Sequence, residues 1–231
     1  MALSIQSEPV RIAAGKVEMD GALWLPPDHT GVVLFACGSD GSRVKPPSDY
    51  VASVLHSVRL GTLWLDLPGW PPAHSQHARA EASLLTQRLD AACDWLRRHS
   101  QTCDSPIGLF GAGNGAAAAM QLAALRGGDI SALVLRGGCT GLVAPGLVAR
   151  ISAPTLLIVG SLDDGIIGMN RSTYAALRCK KHFDLIPGAT HAFDEPGSVE
   201  VVARLTRGWF LQHAHFVLSQ DAVETETCKS F

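Results

Sequence analysis

Residues 106–120, Pro-Ile-Gly-Leu-Phe-Gly-Ala-Gly-Asn-Gly-Ala-Ala-Ala-Ala-Met, constrain this chain more than any other stretch. The run up to Phe110 has the length of a buried strand, Gly111, Gly113 and Gly115 crowd a turn, and the alanines that follow suit a helix whose first turns carry almost no side chain. A strand that turns so tightly into a bare helix presents one residue at the corner, here Gly113.

The spacing is that of the elbow G-x-S-x-G, in which the strained corner displays a nucleophilic serine and the flanking glycines leave room for the close strand and helix. In this chain the corner residue is glycine, so the position of a nucleophile is vacant. A phosphate-binding loop is the rival reading. The stretch lacks the Lys-Ser/Thr ending of a nucleotide loop, and its glycines miss the dinucleotide spacing.

A chain of 231 residues, 47% hydrophobic, can bury a substantial core and is expected to form a single domain over 1–215, with a polar tail over 216–231. The formal charge of -2, with both signs interspersed, gives no basic surface for nucleic acid. Apolar runs are strand-sized and the N-terminus has neither a basic start nor a long apolar core, so a cytoplasmic protein with no membrane partner is expected. The six cysteines form no C-x-x-C pair and are expected as thiols, and no four-ligand metal spacing occurs. No cofactor is implied.

In order along the chain, 10–13 and 17–25 read as a hairpin turning near Ala14-Gly15 and stopped by Pro26-Pro27. The continuous apolar run 32–37 is a strand covered on both faces. Helix is expected over 48–59, strand over 62–67, and a long helix over 77–98 from the spacing of Leu84, Leu85, Leu89, Ala92, Trp95 and Leu96. After the elbow come a helix over 115–126, strands over 132–135 and 155–159, a helix over 170–177, a strand over 182–186 and a closing helix over 199–213. The alternation predicts an α/β protein, a three-layer sandwich around a mostly parallel sheet of about eight strands, with little or no lid. Ligands bind such sheets beyond the carboxyl ends of the strands, where the loops at Cys37, Trp70, Gly113, Asp163 and His191 would open.

This pattern resembles the α/β-hydrolase family, and more narrowly its dienelactone-hydrolase-like members, over about residues 10–213. The resemblance rests on Phe110-Gly111-Ala112-Gly113-Asn114-Gly115-Ala116-Ala117, on Leu156-Leu157-Ile158-Val159-Gly160-Ser161-Leu162-Asp163, and on Pro187-Gly188-Ala189-Thr190-His191-Ala192-Phe193. It implies Gly113 in the nucleophile's place, Asp163 in the acid's and His191 in the base's, with an oxyanion hole from the backbone N–H groups of Asn114 and Ser39. Asp164 competes with Asp163; the position three residues past Gly160 favours Asp163 and leaves Asp164 to cap the following helix. Relatives tend to carry His-Gly where this chain has Cys37-Gly38.

Without a corner nucleophile, a covalent acyl intermediate is not expected. His191, oriented by Asp163, could activate a water for attack on a carbonyl of a small, largely neutral substrate. Equally it could abstract a proton, which leads to cyclisation, elimination or isomerisation. Cys37, and less readily Ser39 or Cys139, are the substitutes for the missing serine. Trp70, Arg43, Arg136 and Asp40 are the candidates for lining a pocket, with either arginine able to hold a carboxylate. The competing reading is a non-catalytic ligand-binding or interaction protein in which His191 and Asp163 are inheritance.

Overall fold

The computed structural model describes residues 7–37, 48–67 and 78–213. Ser39, Asp40, Arg43 and Trp70 lie outside the described residues, as does the tail expected over 216–231. Eight strands form one sheet in the order β1-β2-β4-β3-β5-β6-β7-β8. The hairpin β1 (Ser7–Ala14) and β2 (Val17–Trp24) is antiparallel, turns at Gly15 with φ 63°, and joins β4 (Leu60–Leu65) antiparallel. From β4 onward, β3 (Gly31–Ala36), β5 (Ile107–Ala112), β6 (Ile130–Arg136), β7 (Thr155–Gly160) and β8 (Lys181–Ile186) pair in parallel.

Helices cover both faces, which is why β3, β5 and β7 are buried at every residue and read as unbroken apolar runs. On one face α2 (Ala78–Arg98) and α3 (Gly115–Arg126) pack over Leu34, Leu109, Leu133 and Leu135. On the other, α1 (Ser48–His56) and α6 (Ser198–His213) pack over Phe35, Phe110, Val134 and Ile158. Trp64 stands inside β4 and stacks on Phe35 with ring centroids 4.3 Å apart. The short α4 (Pro145–Val148) and a turn of 3-10 helix at Thr140–Leu142 fill the connection from β6 to β7, and no large lid is inserted. The architecture is the three-layer sandwich of the α/β-hydrolase fold.

One boundary differs from expectation in a way that matters for the site. The helix expected over 170–177 is α5 (Asp164–Ala176), beginning six residues earlier. Its first turns carry Gly165 and Gly168, which conceal the helical period. Asp163, not Asp164, therefore takes the N-cap position, and it makes no side-chain cap hydrogen bond. Among the described residues no helix is long and apolar enough to cross a membrane.

Candidate functional site

Gly113 stands between the end of β5 and the start of α3, with φ 52°. This left-handed conformation is strained for any side chain but glycine. Its neighbour Gly111 is required for a different reason: a Cβ there would lie 2.8 Å from the Cα of Ala116 and 3.1 Å from the Cβ of Ala119, so strand and helix could not approach as they do. Among the described residues, nothing lies within 4 Å of a Cβ built on Gly113 itself.

The turn after β6 braces the corner. The Gly113 N–H reaches the Arg136 carbonyl at 3.4 Å, and the Cys139 N–H donates to the Gly113 carbonyl at 2.9 Å. The same turn touches the histidine loop, because a Cβ on Gly137 would lie 3.7 Å from Cε1 of His191. The turn over residues 136–139 thus contacts both the Gly113 corner and the histidine loop.

His191 and Asp163 come from the loops after β8 and β7. Their relative position is set by backbone bonds: Ser161 N–H to Ile186 O at 3.0 Å, Leu162 N–H to Ala189 O at 3.0 Å, and Gly188 N–H to Ser161 Oγ at 2.8 Å. Gly160 permits this crossing, since a Cβ would collide with the carbonyl oxygens of Ala189 and Thr190. The result is a hydrogen bond of 2.7 Å between His191 Nδ1 and Asp163 Oδ2. With the neutral imidazole, Nδ1–H donates to the carboxylate and Nε2 carries the lone pair, so the carboxylate sets the tautomer. The histidine side chain is 56% exposed and the aspartate side chain 16%, an open base on a mostly enclosed acid.

Two residues support the histidine loop that the sequence reading did not single out. Phe193 is buried at 1% exposure with φ 59°, a left-handed conformation unusual for a bulky residue. Glu195 accepts the Thr190 N–H at 3.0 Å, and that hydrogen bond holds its carboxyl below the usual carboxylate range. The apolar residue two places after His191 was a visible signal for an anchor; the positive φ was not.

Of the other expected residues, Arg136 ends β6 on the Phe193 side, its guanidinium carbon 5.6 Å from the ring centroid. Its Nε and Nη1 are buried and have no hydrogen-bond partner among the described residues. Cys37 follows β3, half-buried, at the same edge of the sheet. Cys139 is half-buried beside the corner, and burial, then the Asp163 carboxylate, push its thiol up, which disfavours the thiolate. The five described cysteines form no disulfide, and among the described residues no group of three or more His, Cys, Asp or Glu side chains could hold a metal ion.

A β-strand, glycine-cornered helix, and Asp–His pair on successive strand ends place this chain in a recognisable class, and comparison with known proteins narrows it. The model of the dienelactone hydrolase family matches residues 72–216. The crystal structure of a dienelactone hydrolase from Anabaena variabilis is 38% identical, with a TM-score of 0.81 over 91% of this chain and 99% of that one. The chain belongs to the dienelactone hydrolase family. Est1E from Butyrivibrio proteoclasticus shares the fold, with a TM-score of 0.75 at 15% identity over 89% of this chain and 98% of its own. A Mycobacterium tuberculosis protein that carries the name of a phosphoribosyl transferase is 37% identical over 209 residues, which are 90% of this chain and 47% of that protein. The chain spans about half the length of the curated relatives it matches.

Proposed function

We propose that this protein is an enzyme that works without a covalent nucleophile, using His191 and Asp163 as a general-base dyad on a small, largely neutral carbonyl compound. The observation that carries the reading is the combination at the carboxyl ends of the strands: a Gly113 corner after β5 with no described residue within 4 Å of a Cβ built on it, and a 2.7 Å His191–Asp163 hydrogen bond between the loops after β7 and β8. A binding protein has no need of a histidine whose tautomer is set by a largely enclosed carboxylate. Glycine at the corner removes the attacking atom but leaves the backbone donor of Asn114, and the Ser39 N–H is proposed as the second donor to the same carbonyl oxygen.

Two reactions suit this arrangement. In the first, Nε2 of His191 takes a proton from a water standing in the space before Gly113; the hydroxide attacks an ester or lactone carbonyl, and the imidazolium returns the proton to the leaving oxygen. In the second, the same nitrogen takes a proton from carbon or oxygen of the substrate, giving elimination, isomerisation or ring closure. The family supports ester- and lactone-type substrates for the first. Cys139 is a poor replacement nucleophile because its thiol is pushed up. Arg136, beside Phe193 and with Nε and Nη1 unpartnered among the described residues, suits a polar substituent of the substrate.

The test is turnover of activated esters, lactones and enol-lactones by the protein, by His191→Ala and by Gly113→Ser. Hydrolysis that drops by about a hundredfold or more in His191→Ala establishes the histidine-activated water. Silence in the parent that Gly113→Ser turns into hydrolysis moves the native task to the second reaction. Hydrolysis unchanged in His191→Ala rejects the base, and silence in all three leaves a ligand-binding protein.

A further inference from the structure

We propose that Asn170 is a positioning residue that orients and polarises the Asn114 N–H through two peptide groups in series. The inference rests on the reading of that N–H as a carbonyl-holding donor. Asn170 lies in the middle of α5 and is fully buried. Its Nδ2 stands 2.8 Å from the Gly138 carbonyl and 2.9 Å from the Ile166 carbonyl. Two acceptors can be met only by the two N–H groups of the amide, which decides the orientation of the side chain. Oδ1 is buried with no partner among the described residues, so the donor end is the one in use.

The carbonyl of Gly138 and the N–H of Cys139 belong to one peptide group, and that N–H donates to the Gly113 carbonyl at 2.9 Å. The Gly113 carbonyl and the Asn114 N–H belong to the next. No peptide bond among the described residues is cis, so in each unit carbonyl and N–H point opposite ways. The donors therefore run head to tail from the Asn170 amide, through 138–139 and 113–114, and end at the Asn114 N–H. An amide whose carbonyl accepts a hydrogen bond donates more strongly through its N–H, and such chains reinforce one another. The Ala116 N–H reaches the Gly113 carbonyl only at 3.3 Å, so the Cys139 N–H is its shorter partner, while the Gly138 carbonyl accepts the Asn170 amide at 2.8 Å alongside the Thr140 N–H at 2.9 Å.

The relay begins on the helix that has Asp163 at its N-cap. One rigid element thereby holds the carboxylate that orients His191 and the amide that starts the chain toward Asn114. A merely structural Asn170 would tie α5 to the turn and do nothing to Asn114.

Nuclear magnetic resonance of the uniformly labelled, deuterated protein separates the two. Scalar couplings across the hydrogen bonds are expected from Asn170 Nδ2 to the Gly138 carbonyl carbon and from the Cys139 nitrogen to the Gly113 carbonyl carbon; absence of either overturns the proposal, and this measurement needs no variant. In Asn170→Leu, similar in shape but without donors, the amide protons of Cys139 and Asn114 are expected to move upfield, Cys139 by more, while those of Leu109 and Leu122 stay. Shifts confined to α5 overturn it. Neither measurement needs turnover, so a failed relay is distinct from a failed general base, which His191→Ala reports.

Discussion

The two ends of α3 are built on opposite terms. At its start, among the described residues, Asn114 makes no side-chain cap bond, nothing lies within 4 Å of a Cβ built on Gly113, and the neighbouring Arg136 keeps two nitrogens without partners. At its end Arg126 reaches three carboxylates: Asp90 at 2.6 Å, Asp94 at 2.5 Å and Asp129 at 3.0 Å. Asp129 in turn takes Arg97 at 2.6 Å, and Arg97 also donates to the carbonyls of Cys103 and Ser105. One helix thus joins a region where polar groups are left for something else to one where they satisfy each other. Stability is invested at the far end, and the near end is free to keep groups that are costly to leave unpaired.

The largest effect expected on folding is therefore far from the candidate site. Arg126→Met leaves Asp90, Asp94 and Asp129 with one cation fewer, and urea unfolding should show a loss of about 2–3 kcal/mol. The figure is set below that for a wholly buried pair because the Asp90 and Asp94 side chains are 47% and 51% exposed. Acid sharpens the point. Burial raises the Asp129 carboxyl, but the hydrogen bonds from Arg97 and Arg126 outweigh it and hold the group below its ordinary value. Its contribution is then complete above the unfolded value of about 3.9 and disappears as the pH falls through the lower folded value. The gap between the stability curves of the parent and of Arg126→Met should begin to close as the pH falls below about 4 and shrink further as it passes the lower folded value. A gap that persists there would mean the arginine acts through packing of its stem.

The contrast also separates what the sequence discloses from what it hides. The near end was legible because its causes are local: glycine spacing and an alanine run within fifteen residues predict a helix over 115–126, and α3 has those bounds. The places of Gly113, Asp163 and His191 after β5, β7 and β8 were legible for the same reason, each following a strand-length stretch. Arg126 and its partners were not, since Asp90 and Asp94 face it from another helix and no local pattern pairs them. Asn170 was hidden twice, by the glycines that obscured the start of α5 and by a partner, Gly138, that lies 32 residues away.

A smaller effect is expected at the corner. Gly113→Ala places a Cβ that has no described residue within 4 Å, but φ 52° belongs to the left-handed region. The cost should be about 1 kcal/mol in urea unfolding, well under that of Arg126→Met. A loss as large as that of Arg126→Met would mean that the added Cβ meets an obstruction. No loss at all would mean that the corner relaxes to negative φ and is not held by the bonds from Cys139 and Arg136.

The smallest effect on folding belongs to the pair on which the proposed chemistry depends. In Asp163→Asn the amide oxygen can still accept from Nδ1 of His191, and the imidazole is 56% exposed, so water replaces much of what the charge supplied. Unfolding free energy should change by no more than about 0.5 kcal/mol. Turnover should fall nonetheless, because an amide can also turn its N–H toward Nδ1 and so select the tautomer with the proton on Nε2, where the base needs a lone pair. Stability and activity would then be separated on one residue, as the two ends of α3 separate them in space. If Asp163→Asn instead unfolds as readily as Arg126→Met, the dyad is a structural tie between the β7 and β8 loops, and the near end of the helix resembles the far one after all.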